Sequence, residues 1–324
     1  MIKLLIGGSP CTKWSIAQKN DRETVPHGIG WELFENYLIA REKFNPDLFL
    51  YENNKSAEQP IKDQISYELG APIMHINSAL VSAQNRERFY CFNWHVEQPR
   101  DRCILLRDIL EPSAVEIDCE RQTVACGWRG RKESDGKYHK RYESTNEPKA
   151  NTLTTAPTDS MIAEPIRKYP SHHIRNVYEV RDGIIPINGE KYRINMADGY
   201  YIIRKPTVTE CERLQTLPDG YTRAVSDAQR RKCLANGWTA EIIIHILNGA
   251  LAGVPRNEEI VVLSMYDGIG TGRYCLDRMG FTNVRYYAYE TDKYAKQISM
   301  SNYPDIIQCG DAYDLRHPGW MIGY

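Results

Sequence analysis

The feature that most constrains the fold is an apolar run that ends directly in a glycine-rich turn. Residues 261–266 (VVLSMY) are typical of a strand buried on both faces, and residues 267–272 (DGIGTG) supply three glycines before a helical pattern at residues 273–279. Glycines at this point let the backbone pass close to a bound molecule at the carboxyl end of a strand. The segment therefore predicts a parallel sheet with a ligand site at its carboxyl edge.

The spacing around this turn limits the class of ligand. A dinucleotide fingerprint needs a glycine at the sixth position counted from Gly268, and that position holds Arg273. Glu290 stands twenty residues after Gly270 at the end of the next predicted strand, where a carboxylate can accept hydrogen bonds from both ribose hydroxyls. Asp311 follows a third apolar stretch and is placed to meet an adenine edge. This order favours a nucleoside ligand without a pyrophosphate over the alternative that both acids are solvated strand ends.

Short apolar runs alternate with helical patterns through most of the chain. The alternation predicts an α/β protein with a doubly wound, mostly parallel sheet that is covered on both faces. The predicted strands are residues 4–6, 48–51, 261–265 and 285–289, and the predicted helices are residues 31–43, 209–215, 241–247 and 294–302.

The middle of the chain has a different character. Residues 97–200 scatter Pro, Thr, Tyr and charged residues through short extended pieces with little helical periodicity, which predicts a smaller inserted domain. The larger domain then consists of residues 1–96 and 201–324, with a polar, turn-rich linker near residues 252–259 and a ligand-binding half at residues 260–324.

Composition and charge limit the partners and the compartment. A net charge of -1 over 324 residues excludes a uniformly basic nucleic-acid binder, so any nucleic-acid surface must be a local patch. Nine cysteines without a Cys-x-x-Cys pair argue for reduced thiols and against a disulfide framework or a structural zinc site. The sequence shows no export signal and no apolar stretch long enough to span a bilayer. We therefore expect a cytoplasmic protein with no metal and no membrane partner.

Several short motifs occur in a fixed order before and after the inserted domain. A lone cysteine is more often structural than nucleophilic, so Cys11 becomes a candidate nucleophile only because the other motifs accompany it. The motifs are Pro10-Cys11 after the first strand, Glu52-Asn53 at the end of the second, Gln84-x-Arg86-x-Arg88, and a block with Arg204, Glu210, Arg213, Gln215 and Pro218.

These blocks resemble the signature blocks of the cytosine-C5 DNA methyltransferases, which include Pro-Cys, Glu-Asn-Val, Gln-x-Arg-x-Arg and Arg...Glu-x-x-Arg-x-Gln...Pro. Together with the glycine turn, Glu290 and Asp311, the matches cover nearly all of the chain outside residues 97–200. The resemblance implies the Rossmann-like sheet of S-adenosylmethionine-dependent methyltransferases, with residues 97–200 as an inserted target-recognition domain. It also implies a DNA (cytosine-5-)-methyltransferase that acts on a flipped-out cytosine in double-stranded DNA.

The resemblance assigns a chemical role to each motif residue. Attack of a thiolate on C6 makes C5 of cytosine able to accept a methyl group, and Cys11 is the expected thiolate. Glu52 is expected to contact the N3 and amine edge and to supply a proton, while Arg88 holds O2 and Arg86 supports the site. The residues expected to bind S-adenosylmethionine are Pro10, Trp238, Tyr266, Asp267, Gly268, Ile269, Gly270, Thr271, Gly272, Glu290 and Asp311.

Three details depart from the common family pattern. Asn54 stands where Val is expected after Glu-Asn, and Thr12 stands where Gln often follows Pro-Cys. The block that usually contains Gly-Asn-Ala-Val is Asn-Gly-Trp-Thr at residues 236–239, which is closer to the de novo type of DNA methyltransferase and places Trp238 against the cofactor. The alternative for Trp238 is a core residue at a helix entry.

The order of the blocks is unusual for the family. The glycine loop, the ribose acid and the adenine acid normally precede Pro-Cys, and here they follow every other block. The chain therefore resembles a circularly permuted member. This hypothesis predicts that the strand at residues 3–6 lies beside and parallel to the strand at residues 261–265, that residues 251–260 form a surface connection, and that residues 320–324 finish near Met1.

Residues 127–142 form the most basic segment of the chain. They contain six Lys or Arg and two acids, a local charge of +4, with interleaved aromatic residues. This pattern favours contacts with DNA phosphates, and the alternative is a solvated charged hairpin. The residues expected to contact DNA are Ser15, Gln84, Arg129, Arg131, Lys132, Thr154 and Thr155.

Some functional alternatives stay open on the sequence alone. One is an RNA cytosine-C5 methyltransferase on the same fold, and another is a non-catalytic DNA-binding relative. The resemblance also leaves open a cognate restriction enzyme as a partner, a bacterial or phage origin, the recognised DNA sequence and the oligomeric state.

Overall fold

The computed structural model describes residues 1–16, 18, 21–113, 115–132, 136–156, 158–170 and 176–322, with the backbone alone for Lys132 and Tyr138. The first part of the chain contains β1 (Ile2–Gly7), α1 (Ile29–Phe44), β2 (Leu48–Asn54), α2 (Gln59–Leu69), β3 (Ile73–Asn77) and β4 (Glu87–Phe92). The middle part contains β5 (Val124–Lys132), β6 (Tyr138–Ser144), β7 (Met161–Ile166), β8 (Val177–Val180), β9 (Ile184–Ile187), β10 (Glu190–Arg193) and β11 (Gly199–Arg204). The last part contains α3 (Val208–Leu214), α4 (Asp227–Asn236), α5 (Ala240–Leu251), β12 (Ile260–Met265), α6 (Thr271–Arg278), β13 (Val284–Tyr289), α7 (Lys293–Asn302) and β14 (Ile307–Gly310).

The main sheet has seven strands in the order β14-β13-β12-β1-β2-β4-β3. The first five strands are mutually parallel, and β4 runs antiparallel to both of its neighbours. β1 pairs with β12 in parallel from Ile2 opposite Ile260 to Gly7 opposite Met265. The two strands predicted to be neighbours are therefore neighbours in space, although more than 250 residues separate them along the chain.

Both faces of this sheet are covered, as the alternation of strands and helices predicts. Leu4, Ile6 and Val262 belong to a buried cluster that also contains residues of α5 and α6, whereas Leu5 and Leu263 belong to a second cluster with residues of α1. Successive side chains of a strand point to opposite faces, so β1 and β12 each contribute to both cores. The predicted doubly wound α/β architecture is confirmed.

The middle part of the chain builds a separate antiparallel sheet in the order β6-β5-β7-β11-β8, with β9 and β10 as a further hairpin. This sheet has its own buried cluster, which includes Val124, Tyr142 and Tyr201. β11 pairs with β7 as far as Arg204, opposite Ile162, so the sheet continues four residues beyond the predicted boundary at residue 200.

The connection between α5 and β12 crosses the surface. Residues 252–259 have turn and irregular conformation, and each is exposed or only partly buried. The predicted surface connection is therefore confirmed at residues 252–259, whereas Leu251 and Ile260, at the ends of the predicted range, are fully buried in α5 and β12.

The prediction that residues 320–324 finish near Met1 stays a prediction. Trp320 donates from Nε1 to the Tyr289 hydroxyl in the last residue of β13, while the Met1 ammonium pairs with Glu258 just before β12 begins. Lys43, near the end of α1, donates to the carbonyl oxygens of Leu315 and His317, so this part of the chain runs along α1. Gly323 and Tyr324 lie outside the described residues.

Within the described ranges, no helix is long and apolar enough to cross a membrane. In the same part of the chain, no group of three or more His, Cys, Asp or Glu residues is arranged to hold a metal ion.

Candidate active site

A cavity of about 480 Å³ opens at the carboxyl edge of the main sheet. Five parallel strands each deliver a residue to its wall, since carboxyl ends of parallel strands meet at one edge. These residues are Cys11 after β1, Glu52 in β2, Asp267 after β12, Glu290 after β13 and Asp311 after β14. The catalytic candidates and the cofactor candidates therefore share one cavity.

Cys11 begins a short 3₁₀ helix (Cys11–Lys13), and its carbonyl oxygen accepts from the backbone N–H groups of Trp14 and Ser15. Its thiol is partly buried in the cavity wall. Burial raises the pKa of the Cys11 thiol, and the positive charge of Arg88 lowers it. The charge of Arg88 thus favours the thiolate form of Cys11, against the effect of burial.

The loop that carries Cys11 is fixed to β2 by close packing and by a buried polar network. A Cβ atom at Gly8 would lie 2.4 Å from the carbonyl oxygen of Glu52, so only glycine fits there. The Ser9 hydroxyl lies 2.7 Å from the Tyr51 hydroxyl, and Asn53 Nδ2 donates to the Ser9 carbonyl at 2.8 Å. Ser9 and Tyr51 belong to no recognisable motif, because a buried pair of hydroxyl groups requires no characteristic spacing in the sequence.

Glu52 has a donor beside each of its carboxylate oxygens. Arg88 Nε lies 3.3 Å from Oε1, and Trp238 Nε1 donates to Oε2 at 3.0 Å. These two contacts orient the carboxylate toward the cavity that Cys11 also lines. Trp238 therefore borders the cavity, as expected, and contacts the proposed acid as well.

Arg86 lines the cavity and also donates to the backbone beside it. It is buried, and its Nη2 atom donates to the carbonyl oxygens of Ala235 at 3.0 Å and Gly237 at 2.9 Å. Burial lowers the pKa of Arg86 to about 9. Arg86 thus holds the segment that precedes Trp238, and its supporting role in the site stays a prediction.

Asp267 lines the cavity and, among the described residues, has hydrogen-bond donors at only one of its two carboxylate oxygens. Its Oδ1 accepts from the Ser264 hydroxyl at 2.7 Å and from the Tyr286 hydroxyl at 2.6 Å, whereas Oδ2 is buried with no hydrogen-bond partner among the described residues. Burial raises the pKa of Asp267 to about 6. A buried carboxylate oxygen without a donor is suited to receive a cationic or N–H group from a ligand.

The glycine turn and Glu290 contact each other directly. The Gly268 N–H donates to Glu290 Oε2 at 2.8 Å, and Gly268 and Gly270 both adopt left-handed φ values of 65° and 77°. Gly270 and Gly272 do not line the cavity. A Cβ atom at Gly272 would lie 2.4 Å from Ile6 Cδ1, so this glycine permits the close packing of α6 on the sheet.

The remaining cofactor candidates divide between the wall and the rim. Pro10, Tyr266, Ile269 and Thr271 line the cavity. Asp311 is exposed at its edge, where Oδ1 accepts from the Tyr313 N–H at 3.0 Å.

The residues expected to contact DNA occupy different environments. Gln84 is fully buried, donates to the Leu214 carbonyl and accepts from the Leu153 N–H, so it links the end of α3 to the segment around Leu153 and has no surface for DNA. This placement corrects the expectation for Gln84. Thr154 and Thr155 are exposed, Ser15 is partly buried, and the side chain of Lys132 lies outside the described atoms.

One face of the β5–β6 hairpin carries the basic residues. Arg129 stands opposite Arg141 and Arg131 stands opposite His139, so all four side chains share a face. Arg131 forms a bidentate ion pair with Glu143 at 2.6 Å, which partly neutralises its charge. The opposite face includes Trp128, which packs against the core of the second sheet.

Comparisons with known proteins identify the family. A protein-family model described as C-5 cytosine-specific DNA methylase matches residues 1–250. None of the curated proteins compared with the chain matches it. Among solved structures, a triple mutant of Spodoptera frugiperda DNMT2 is 15% identical over 76% of this chain and 78% of its own, with a TM-score of 0.40. A protein described as a putative DNA modification methyltransferase encoded within a prophage (E. coli) is 13% identical over 76% and 77%, also with a TM-score of 0.40.

Proposed function

The chain belongs to the C-5 cytosine-specific DNA methylase family, and we propose that it transfers a methyl group from S-adenosylmethionine to C5 of cytosine in double-stranded DNA through a covalent bond between Cys11 and C6. The observation that carries this proposal is the shared cavity, which brings Cys11, Glu52 and Arg88 together with the glycine turn. A nucleophile, an acid and a nucleoside site in one crevice are what methyl transfer to a base requires.

The hydrogen-bond acceptors that line the cavity fit S-adenosylmethionine. The Oδ2 atom of Asp267, which has no hydrogen-bond partner among the described residues, suits the ammonium group, and the carboxylates of Glu290 and Asp311 suit the ribose hydroxyls and the adenine amine. When bound, S-adenosylmethionine supplies an electrophilic methyl group attached to a sulfonium. The acids also favour the positive charge of the ligand.

The residues of this chain perform the remaining chemistry. The Cys11 thiolate attacks C6 and forms the Sγ–C6 bond, while Glu52 gives a proton to N3 so that the displaced electron pair makes C5 nucleophilic. After C5 has gained the methyl group, its hydrogen leaves as a proton to solvent, the Sγ–C6 bond breaks and restores the thiolate, and N3 returns its proton to Glu52. C5 thus exchanges one hydrogen for one methyl group. Arg88 stands beside Glu52 and contributes the positive charge that favours the thiolate.

The basic face of the β5–β6 hairpin supports DNA as the substrate. Arg129 and Arg141 are adjacent cations on one face, as phosphate contacts require. Because the target base is enclosed in the double helix, it must leave the stack before Cys11 can reach C6. We assign residues 97–200 to target recognition and residues 1–96 and 201–324 to catalysis, with the second sheet ending at Arg204.

We further propose that the chain is circularly permuted relative to the common order of family blocks. The parallel pairing of β1 with β12 supports this proposal, because the Pro-Cys strand and the glycine-turn strand adjoin each other despite their distant positions in sequence. The exposed connection at residues 252–259 then occupies the place where the common order would begin.

Trapping with 5-fluorocytosine tests the proposed reaction. Fluorine at C5 is not lost as a proton, so the Sγ–C6 bond persists, and wild-type protein with S-adenosylmethionine should form an adduct with 5-fluorocytosine duplex DNA that survives a denaturing gel. Cys11→Ala should abolish the adduct, whereas Cys103→Ala, which removes an exposed thiol, should retain it.

Each alternative gives a different result. An adduct with 5-fluorocytosine RNA and none with DNA would replace DNA by RNA as the substrate. DNA binding by wild-type protein without any adduct would support the non-catalytic relative. An adduct of equal yield from Cys11→Ala would refute the assignment of the nucleophile.

A further inference from the structure

The back of the glycine turn is held by a tyrosine that belongs to none of the motifs. The Tyr221 hydroxyl donates to the carbonyl oxygen of Ile269 at 3.0 Å. Tyr221 is 5% exposed, and burial raises the pKa of its hydroxyl well above the ordinary value, so the group stays protonated and remains a donor. Ile269 in turn lines the cavity.

This hydrogen bond acts on a peptide that lies between two glycines of the turn. Gly268 and Gly270 flank Ile269, and their lack of a Cβ atom leaves the neighbouring dihedral angles weakly restricted. The carbonyl of Ile269 and the N–H of Gly270 belong to one planar peptide and point in opposite directions. Fixing the carbonyl on Tyr221 therefore also fixes the N–H of Gly270, the residue that precedes α6. The hydrogen bond from Tyr221 thus sets the orientation of a peptide whose residue Ile269 lines the cavity.

The residues before and after Tyr221 are both hydrogen-bonded to one buried carboxylate. Glu212 is fully buried, and its carboxylate accepts from the Gly220 N–H at 2.6 Å and from the Thr222 N–H at 2.8 Å. Arg230 Nη2 pairs with the same carboxylate at 3.0 Å and balances its charge. Glu212 occupies an x position of the Glu-x-x-Arg-x-Gln block, so the block itself does not specify this residue.

The ring and the backbone of Tyr221 have anchors that do not involve the hydroxyl. The ring packs edge-on against Tyr274 with centroids 5.5 Å apart, and Asn302 Nδ2 donates to the Tyr221 carbonyl at 2.9 Å. Removal of the hydroxyl alone should therefore leave Tyr221 in place and free only the Ile269–Gly270 peptide.

We propose that Tyr221, held in position by Glu212, is a positioning residue that fixes the Ile269–Gly270 peptide and thereby sets the affinity for S-adenosylmethionine. This proposal rests on the proposed function. It assigns to the loop after α3 a role in cofactor binding that is separate from catalysis.

The test compares two tyrosines of the same aromatic pair. Tyr221→Phe removes the hydroxyl that contacts the turn, and Tyr274→Phe removes a hydroxyl that instead accepts from Arg278 at 2.7 Å. A net hydrogen bond is worth about 0.5–1.5 kcal/mol, so Tyr221→Phe should raise the calorimetric Kd and the KM for S-adenosylmethionine about 2- to 10-fold. The kcat at saturating cofactor and the Kd for DNA should stay unchanged, and Tyr274→Phe should match wild type.

A second variant checks the origin of the effect. Glu212→Gln replaces one acceptor of the two N–H groups by a donor and should weaken cofactor binding in the same way. If this variant does not fold, Tyr221→Phe decides alone. Cofactor affinity of Tyr221→Phe equal to wild type, or a loss in kcat with unchanged Kd, would overturn the proposal. Absence of S-adenosylmethionine binding by wild-type protein would instead refute the proposed function.

Discussion

The buried carboxylate of Asp267 should weaken the fold and strengthen ligand binding at the same time. Its pKa rises from 3.8 to about 6 because burial penalises the charged form and Oδ2 has no donor among the described residues. Between these two values the native state binds more protons than the unfolded state, so the contribution of Asp267 to stability falls as pH rises through this window. Above about pH 6 the full penalty applies.

The size of the penalty follows from the two pKa values. One pKa unit corresponds to about 1.36 kcal/mol, so a rise from 3.8 to about 6 corresponds to at most about 3 kcal/mol. Because Asp267 borders the cavity and solvent there reduces the penalty, we expect about 1–2 kcal/mol. Asp267→Asn keeps an acceptor for the Ser264 and Tyr286 hydroxyls and removes the charge, so the variant should be more stable than wild type at pH 7 by this amount.

Urea unfolding between pH 5 and 8 measures the effect. The stability difference between Asp267→Asn and wild type should grow with pH and become constant above about pH 7. Asp63→Asn, which removes the same charge from the exposed surface of α2, should show no such difference. The variant Asp267→Asn should also bind S-adenosylmethionine about 10-fold more weakly, as expected when a charged hydrogen bond is removed. Lower stability of Asp267→Asn at pH 7, or a difference independent of pH, would refute this reasoning.

Two further predictions concern the DNA surface and the nucleophile. Joint replacement of Arg129 and Arg141 by Ala should reduce the slope of log Kd against log salt for duplex DNA by about 0.9 for each phosphate that is no longer neutralised. Fluorescence anisotropy measures this slope. An unchanged slope would show that the hairpin is a solvated surface that does not contact DNA. Because the pKa of Cys11 is raised, the rate of adduct formation at saturating DNA should increase with pH from about 6 to about 9. Arg88→Gln should move this rise to higher pH, and a rate independent of pH would contradict a thiol that must lose its proton.

The parts of the fold predicted from sequence are those where burial alone decides the structure. β12 is buried at every position, and α5 buries Ile242, Ile243, Ile246 and Leu247 along one stripe. Both elements therefore have a clear pattern of apolar residues in the sequence. β3 and β4 were not predicted, because β3 carries His75 and β4 begins with Glu87 and Arg88, polar residues that turn toward solvent or the site. Their pairing with β2 is a tertiary contact without a local signal.

The candidate site divides in a similar way. Cys11, Glu52 and Arg88 are proposed to act through side chains whose type the chemistry requires, so motif spacing in the sequence was enough to select them as candidates. Arg86 and Tyr221 act on backbone carbonyls, which every residue possesses, so no residue type at the partner position reveals the contact. For Gln84 the motif led to a wrong expectation. Motif spacing carries no information about burial, and the fold buries this side chain.

The proposed permutation predicts that the chain tolerates a break between α5 and β12. Gly253 is exposed in a turn, so separation of residues 1–253 from residues 254–324 removes no buried side chain. The two parts should remain associated, because β12 pairs with β1 over six residues and contributes Ile260 and Leu263, both fully buried, to opposite cores. Co-expressed fragments with a tag on one of them should purify together and form the 5-fluorocytosine adduct. Leu263→Asp in the shorter fragment should prevent this association, since it buries an unpaired charge between the strands and α1. Recovery of either fragment alone would show that the covalent connection is needed for the fold and would count against the permutation.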